Sequence, residues 1–171
     1  MQLLLIRHGP AGEGATWART GHPDGDRPLT VEGRELIRLV TPGLAGLVSR
    51  LDVLASSPLA RAYQTAEIVA KGYDEMPITV VDALSSGGDR TELLEWIREH
   101  RPGITMALVG HNPDLEDMIA WMLAVRQHGF VKLKKGGAAL VTFDVVPTPG
   151  GGVLQWFLTP DQLVSLARRR G

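Results

Sequence analysis

The sequence predicts an α/β protein: a three-layer α/β/α arrangement whose central sheet is mostly parallel, with an antiparallel end. Short apolar runs alternate with segments of helical spacing, and most runs stop abruptly at Gly, Pro or Ser before a helix begins. The last third breaks that alternation, because two β-prone segments follow each other across Pro147-Thr148-Pro149-Gly150-Gly151-Gly152. The chain has 171 residues, enough for one full core, and no repeat, linker or low-complexity segment. A single domain spanning 1–171 is therefore expected.

Gln2 to Ile6 reads as a buried strand, closed by Arg7-His8-Gly9. Residues Pro10 to Pro28 are rich in Gly, Pro, Asp and Thr without helical or alternating period, and predict a long loop. Trp17 either packs over a site or pins that loop, and His22 is read as solvated. Thr30 is placed to cap a helix from Val31, with Leu36, Leu39, Val40, Leu44, Leu47 and Val48 as its core stripe. Pro42-Gly43 predicts a kink or break within it. Val53-Leu54-Ala55 predicts a second strand, after which Ser57 as N-cap and Pro58 at the first position open a helix to Lys71.

Ile78–Val81 is a further strand candidate, and Asp89 to His100 carries helical spacing through Leu93, Leu94 and Ile97. Ile104 to Val109 gives the clearest strand. It runs into Gly110-His111-Asn112-Pro113, with Asn112 as cap and Asp114, Glu116 and Asp117 in the first turn of a helix ending near Val125. Ala138 to Val146 and Val153 to Leu158 predict the antiparallel pair, and Pro160 to Arg170 a final helix whose three closing arginines suit its C-terminus.

Composition narrows the function classes. A net charge of −1 argues against a general nucleic-acid binder. The absence of cysteine excludes disulfides, thiolate metal sites and a cysteine nucleophile. No apolar run approaches membrane-spanning length and no signal-peptide pattern opens the chain, so no membrane partner and a cytoplasmic location are expected. Lys132, Lys134 and Lys135 form a small basic cluster, read as a solvated loop or as a receiver for an acidic partner.

Arg7, His8, Arg61 and His111 each fall at or just after the carboxyl end of a predicted strand, the edge at which open α/β sheets bind ligands. Two guanidinium forks match phosphate oxygens. Two histidines lack the third protein ligand that zinc needs, and adjacent positive charge opposes a cation, so neither metal nor cofactor is expected. A neutral imidazole whose other nitrogen is held by a carbonyl can attack phosphorus directly. The bound species expected here is phosphate or another oxyanion.

Arg7-His8-Gly9 after an N-terminal strand is similar to the signature of the histidine phosphatase superfamily, also called phosphoglycerate mutase-like. The likeness continues through Arg27-Pro28-Leu29-Thr30-Val31-Glu32-Gly33, the block from Ser56 to Ala66, and Val109-Gly110-His111-Asn112-Pro113, in family order. The small size and Asp24-x-x-Arg27-Pro28-Leu29-Thr30 resemble the SixA-type phosphohistidine phosphatases. The resemblance implies that His8 is the nucleophile that becomes phosphorylated, and that Arg7, Arg61 and His111 bind the phosphoryl oxygens. It also implies a phosphohistidine-bearing protein as substrate.

One departure bears on that substrate. Many family members carry a glutamate general acid where this chain reads Asp82-Ala83-Leu84-Ser85-Ser86-Gly87-Gly88-Asp89, with serine in its place. An alkoxide leaving group needs such an acid, worth ~10²–10⁴ in rate. The imidazole of phosphohistidine leaves without it, its conjugate acid having a pKa of ~6.5. Asp89 is either a substitute acid, which would suit a small-molecule phosphomonoesterase or mutase, or a helix cap. A phosphohistidine-binding module without turnover is the third reading, and the intact His8 counts against it.

Overall fold

A computed structural model describes residues 1–169. Six strands, β1 (Gln2–Arg7), β2 (Val53–Ser56), β3 (Ile78–Val80), β4 (Thr105–Gly110), β5 (Ala138–Thr142) and β6 (Val153–Leu158), form one sheet in the order β3-β2-β4-β1-β5-β6. β1, β2, β3 and β4 run parallel, while β5 pairs antiparallel with both β1 and β6. The mostly parallel sheet with an antiparallel end is therefore present. Phe143–Val146, read as strand, lies outside β5.

Both faces of the sheet are covered, which is why β1 is apolar at every core position rather than at alternate ones. Leu4 and Ile6 pack with Ile37, Val40 and Leu44 of α2 (Val31–Leu47), Ala62, Ala66 and Val69 of α3 (Ala60–Lys71) and Leu163 of α6 (Pro160–Arg168). Leu3 and Leu5 face the other way, onto Leu93 and Ile97 of α4 (Arg90–Arg98) and Met118 and Ile119 of α5 (Asp114–Ala124). The helix stripe on α2 differs from the reading at three residues: Ile37 is in the core, while Leu39 and Leu47 face solvent.

Pro42-Gly43 does not break α2, which is continuous from Val31 to Leu47. The missing proline N–H orphans only a carbonyl one turn earlier, at Arg38, an exposed residue. Burial of Val40 and Leu44 and docking on α6 outweigh the local preference. Gly43 permits that docking, since a Cβ there would lie 2.1 Å from the carbonyl oxygen of Leu163. The loop 10–28 also departs from expectation: it contains a one-turn helix α1 (Gly14–Ala18) and a 3₁₀ turn (Asp24–Asp26), both too short to show a period. Trp17 pins this segment, its indole N–H donating to the Pro23 carbonyl at 2.9 Å.

Helix starts were legible in part. Thr30 caps α2 by accepting the Gly33 N–H at 3.0 Å, as read. Ser57 does not cap α3, which begins at Ala60, and Asn112 does not cap α5, whose N-cap position is Pro113. Both side chains are used elsewhere. Of the three closing arginines, Arg168 ends α6 and Arg170 lies outside the described residues. Among the described residues no helix is long and apolar enough to cross a membrane.

Candidate active site

Strand register brings the two histidines together. In the parallel pair of β1 and β4, Arg7 stands opposite Gly110, so the next residue on each strand is His8 or His111. The His8 N–H donates to the Gly110 carbonyl at 3.1 Å, and the Ser57 N–H after β2 donates to Val109 at 3.0 Å. The rings of His8 and His111 are 5.0 Å apart between centroids. His8, Arg61 and His111 are 6%, 5% and 2% exposed, buried at the carboxyl edge of the sheet.

His8 Nδ1 lies 2.7 Å from the Gly9 carbonyl oxygen. A carbonyl only accepts, so in the neutral ring Nδ1 carries the proton and Nε2 keeps its lone pair. Gly9 has no room for a side chain, since a Cβ would come within 2.8 Å of Ile37. Its N–H donates to Thr65 Oγ1 at 3.1 Å, and the Thr65 hydroxyl donates to the Arg61 carbonyl at 2.7 Å, tying the histidine's backbone to α3.

Arg61 enters from the first turn of α3, where the helix dipole disfavours a cation. Asp24 offsets that: Arg61 Nη1 donates to its backbone carbonyl at 3.0 Å and lies 3.2 Å from its carboxylate, which also pairs with Arg27 Nε at 2.8 Å. Arg7 Nη1 donates to the Leu133 carbonyl at 2.7 Å. The Asn112 amide donates to that same carbonyl at 3.0 Å and to Glu116 Oε1 at 2.6 Å, and Glu116 Oε1 accepts the Leu133 N–H at 2.8 Å. The buried carboxylate of Glu116 thus holds the peptide on which Arg7 is braced. His111 Nε2 is 2.9 Å from Ser57 Oγ, whose oxygen accepts the Leu59 N–H at 3.2 Å; with the serine hydroxyl donating to Nε2, the neutral ring carries its proton on Nδ1.

Three buried nitrogens in this set, Arg7 Nε, Arg61 Nε and His111 Nδ1, have no hydrogen-bond partner among the described residues. Leaving buried donors unmade is costly, ~1–3 kcal/mol each, and a bound oxyanion is the partner that guanidinium donors suit. Among the described residues, no group of three or more His, Asp or Glu side chains is placed to hold a metal ion.

Burial pushes the His8 pKa down to about 3; its bond to the Gly9 carbonyl opposes this, and His111, Arg61 and Arg7 add smaller downward pushes. Burial and Arg61 push His111 down to about 4. Both rings are neutral at pH 7, the form a nucleophile needs. The folded values lie below the unfolded one of ~6.5, so the unfolded chain takes up the extra protons. Stability is full above pH ~6.5 and lost on acidification through the folded values, at up to ~1.4 kcal/mol per pH unit for each ring. An NMR titration of the free protein is expected to show no midpoint between pH 5 and 8 for His8 or His111. A midpoint near 6.5 for either ring would contradict this environment.

The structure brings together all four residues picked out from sequence. Asp89 accepts the Thr91 N–H at 2.6 Å and caps α4. Sequence reading missed Ser57, Thr65, Asp24, Arg27 and Glu116. A Ser-Pro pair before a helix looks like a cap whichever partner its hydroxyl finds, and an acidic first-turn residue such as Glu116 looks like a dipole partner. Asp24 and Arg27 did carry a signal, since they lie in one of the family-like blocks.

Fold and pocket together define an α/β protein with a neutral, buried histidine pair flanked by arginines at the carboxyl edge of a parallel sheet. The model of the histidine phosphatase superfamily (branch 1) matches residues 3–86. The chain belongs to the histidine phosphatase superfamily and is a phosphatase of that class. It is 38% identical over 140 residues to an uncharacterized protein of Picosynechococcus, covering 80% of this chain and 82% of the relative. A solved structure of the protein histidine phosphatase SixA complexed with tungstate is 26% identical, covers 95% of this chain and 99% of its own, and superposes with a TM-score of 0.76. A phosphoserine phosphatase of Entamoeba histolytica, solved with phosphoserine, shares the fold at 18% identity and a TM-score of 0.69, covering 95% of this chain and 98% of its own.

Proposed function

We propose that this protein hydrolyses phosphohistidine on a protein, through a phosphorylated His8 and without a metal. The observation that carries the reading is the neutral His8, with Nδ1 held by Gly9 and Nε2 unencumbered beside Arg7, Arg61 and His111. Nε2 attacks phosphorus as the substrate's P–N bond breaks. The leaving imidazole, protonated on its other nitrogen, departs neutral. Arg7, Arg61 and His111 hold the phosphoryl oxygens through the transfer, which is mainly positioning and charge stabilisation. Water then attacks phosphorus, the bond to Nε2 breaks, and inorganic phosphate leaves with the ring restored.

Two features support a P–N substrate over an ester. Serine stands where a general acid is expected, and the Asp89 carboxylate is occupied with capping α4. The likeness to SixA points the same way. A second reading, a small-molecule phosphomonoesterase, has one observation in its favour. A cleft beside His111, lined by Leu84, Leu93, Asp114, Leu115 and Met118, presents the Asp114 carboxylate on its wall, where it also accepts the Gly87 N–H at 3.1 Å.

A substrate panel separates the two. Phosphohistidine in a carrier protein is expected to be turned over with a kcat/KM at least ~10²-fold above that of any phosphomonoester, the lower bound of what general-acid help is worth. A chelator is expected to leave the rate unchanged. Faster turnover of a phosphomonoester, with loss of that activity in Asp114→Asn, would establish the second reading instead.

A further inference from the structure

Apart from Leu133, whose peptide braces Arg7, the segment 126–135 has no role in the chemistry above, yet it adjoins the pocket. It reads Arg126-Gln127-His128-Gly129-Phe130-Val131-Lys132-Leu133-Lys134-Lys135, with four Lys or Arg side chains and no carboxylate in a chain of net charge −1. Leu133 is its anchor, 1% exposed, with its N–H on Glu116 and its carbonyl on Arg7. Around that anchor Val131 packs on the core and the other side chains face out. Phe130 is 51% exposed with the Arg126 guanidinium 5.7 Å above its ring, and Lys134 and Lys135 are exposed.

The carboxylates near the strip, Glu116, Asp117 and Glu13, offset part of its positive charge and leave an excess of cations. Glu116 is buried, and its contact with Lys132 Nζ is a long 3.7 Å, with the lysine side chain 94% exposed. Asp117 accepts the Gly129 N–H at 2.6 Å and keeps its negative charge. At the inner end, burial lowers the Lys135 pKa, and repulsion from Arg7, Arg27 and Arg61 adds to it, so this lysine lies within the field of the pocket. The strip is thus a cationic ramp leading to His8, with an exposed aromatic ring along it.

We propose that this strip docks an acidic surface of the protein that carries the phosphohistidine. The inference rests on the phosphohistidine reading, and charge complementarity selects the partner. A lone exposed Phe beside an Arg is a common way to add apolar contact to a charged encounter surface. Charges at such a rim act mainly on encounter rate and are screened by salt.

The test uses two histidine peptides, identical except for flanking Glu in one and Gln in the other, each phosphorylated on histidine with phosphoramidate. The wild-type protein is expected to show a KM ~5-fold or more lower for the Glu peptide, the scale of several exposed ion pairs. That gap should close when salt rises from ~0.05 to ~0.5 M. Arg126→Glu/Lys134→Glu is expected to abolish it while hydrolysis of free phosphohistidine stays unchanged. Lys132→Gln/Lys134→Gln, a milder change, should narrow it.

Equal KM values for the two peptides in the wild type, or a gap that survives both variants, would overturn the docking role. If neither phosphopeptide is hydrolysed while phosphomonoesters are, it is the phosphohistidine reading that fails. Fluorescence anisotropy of the unphosphorylated peptides then decides the strip: preference for the Glu peptide upholds an acidic partner, and no preference removes it.

Discussion

His8→Ala is expected to lower phosphate release by ~10⁴-fold or more, the scale on which loss of a covalent nucleophile is felt. It should also abolish the acid-labile phosphate that the wild-type protein acquires from substrate. The size follows from how few other groups can take the role. His111, the neighbouring ring, has Nε2 2.9 Å from the Ser57 hydroxyl, and that serine is held by the Leu59 N–H. Its Nδ1, the only nitrogen left, carries the proton of the neutral ring, and the depressed pKa shows how strongly the site disfavours extra positive charge on either ring. Substrate that reaches the variant therefore meets the arginines with nothing to receive the phosphoryl group. Peptide mapping of trapped wild-type protein should place the label on His8. A label on His111, or release within tenfold of wild type in the variant, would move the nucleophile elsewhere.

Much of this site was legible because strand ends are. A buried parallel strand shows as an uninterrupted apolar run, and Arg7-His8-Gly9 and Gly110-His111 interrupt two such runs with groups that do not belong in a core. The register that sets Arg7 opposite Gly110 then follows from pairing, although no local pattern announces it. What escaped reading is what depends on distant partners. Ser57 looked like a cap, and its hydroxyl instead meets a histidine 54 residues further on. Glu116 sits where a first-turn acid commonly does, yet it is 6% exposed and braces Leu133, which follows an irregular segment with no period to read. Pro42 failed as a breaker for a related reason: propensity acts locally, and α6 docks on α2 at Gly43 from over a hundred residues away in sequence. Local chemistry located the candidate site residues, and tertiary contact decided their partners.

Arg61→Ala is expected to reduce kcat/KM by ~10²–10³-fold, the usual cost of one preorganised donor to a developing anion. Arg61 is the most constrained of the cations in the pocket. It is 5% exposed, its Nη1 is fixed on the Asp24 carbonyl and carboxylate, and its Nε has no partner among the described residues. Burial lowers its pKa, opposed by Asp24, so the charge is held in place by that carboxylate and by whatever anion enters. A phosphoryl group would then be gripped by a fork that needs no reorganisation at the moment of transfer. Lysine at this position keeps charge without the planar fork, so Arg61→Lys should recover only part of the loss, and mainly in KM. Removing Arg61 also frees Asp24 from one of its two arginines, and a thermal melt of the variant separates that structural effect from the chemical one. If kcat/KM falls by less than tenfold while the fold is intact, Arg7 and His111 suffice to hold the phosphoryl oxygens, and the burial of a cation at the head of α3 serves the loop that carries Asp24 instead.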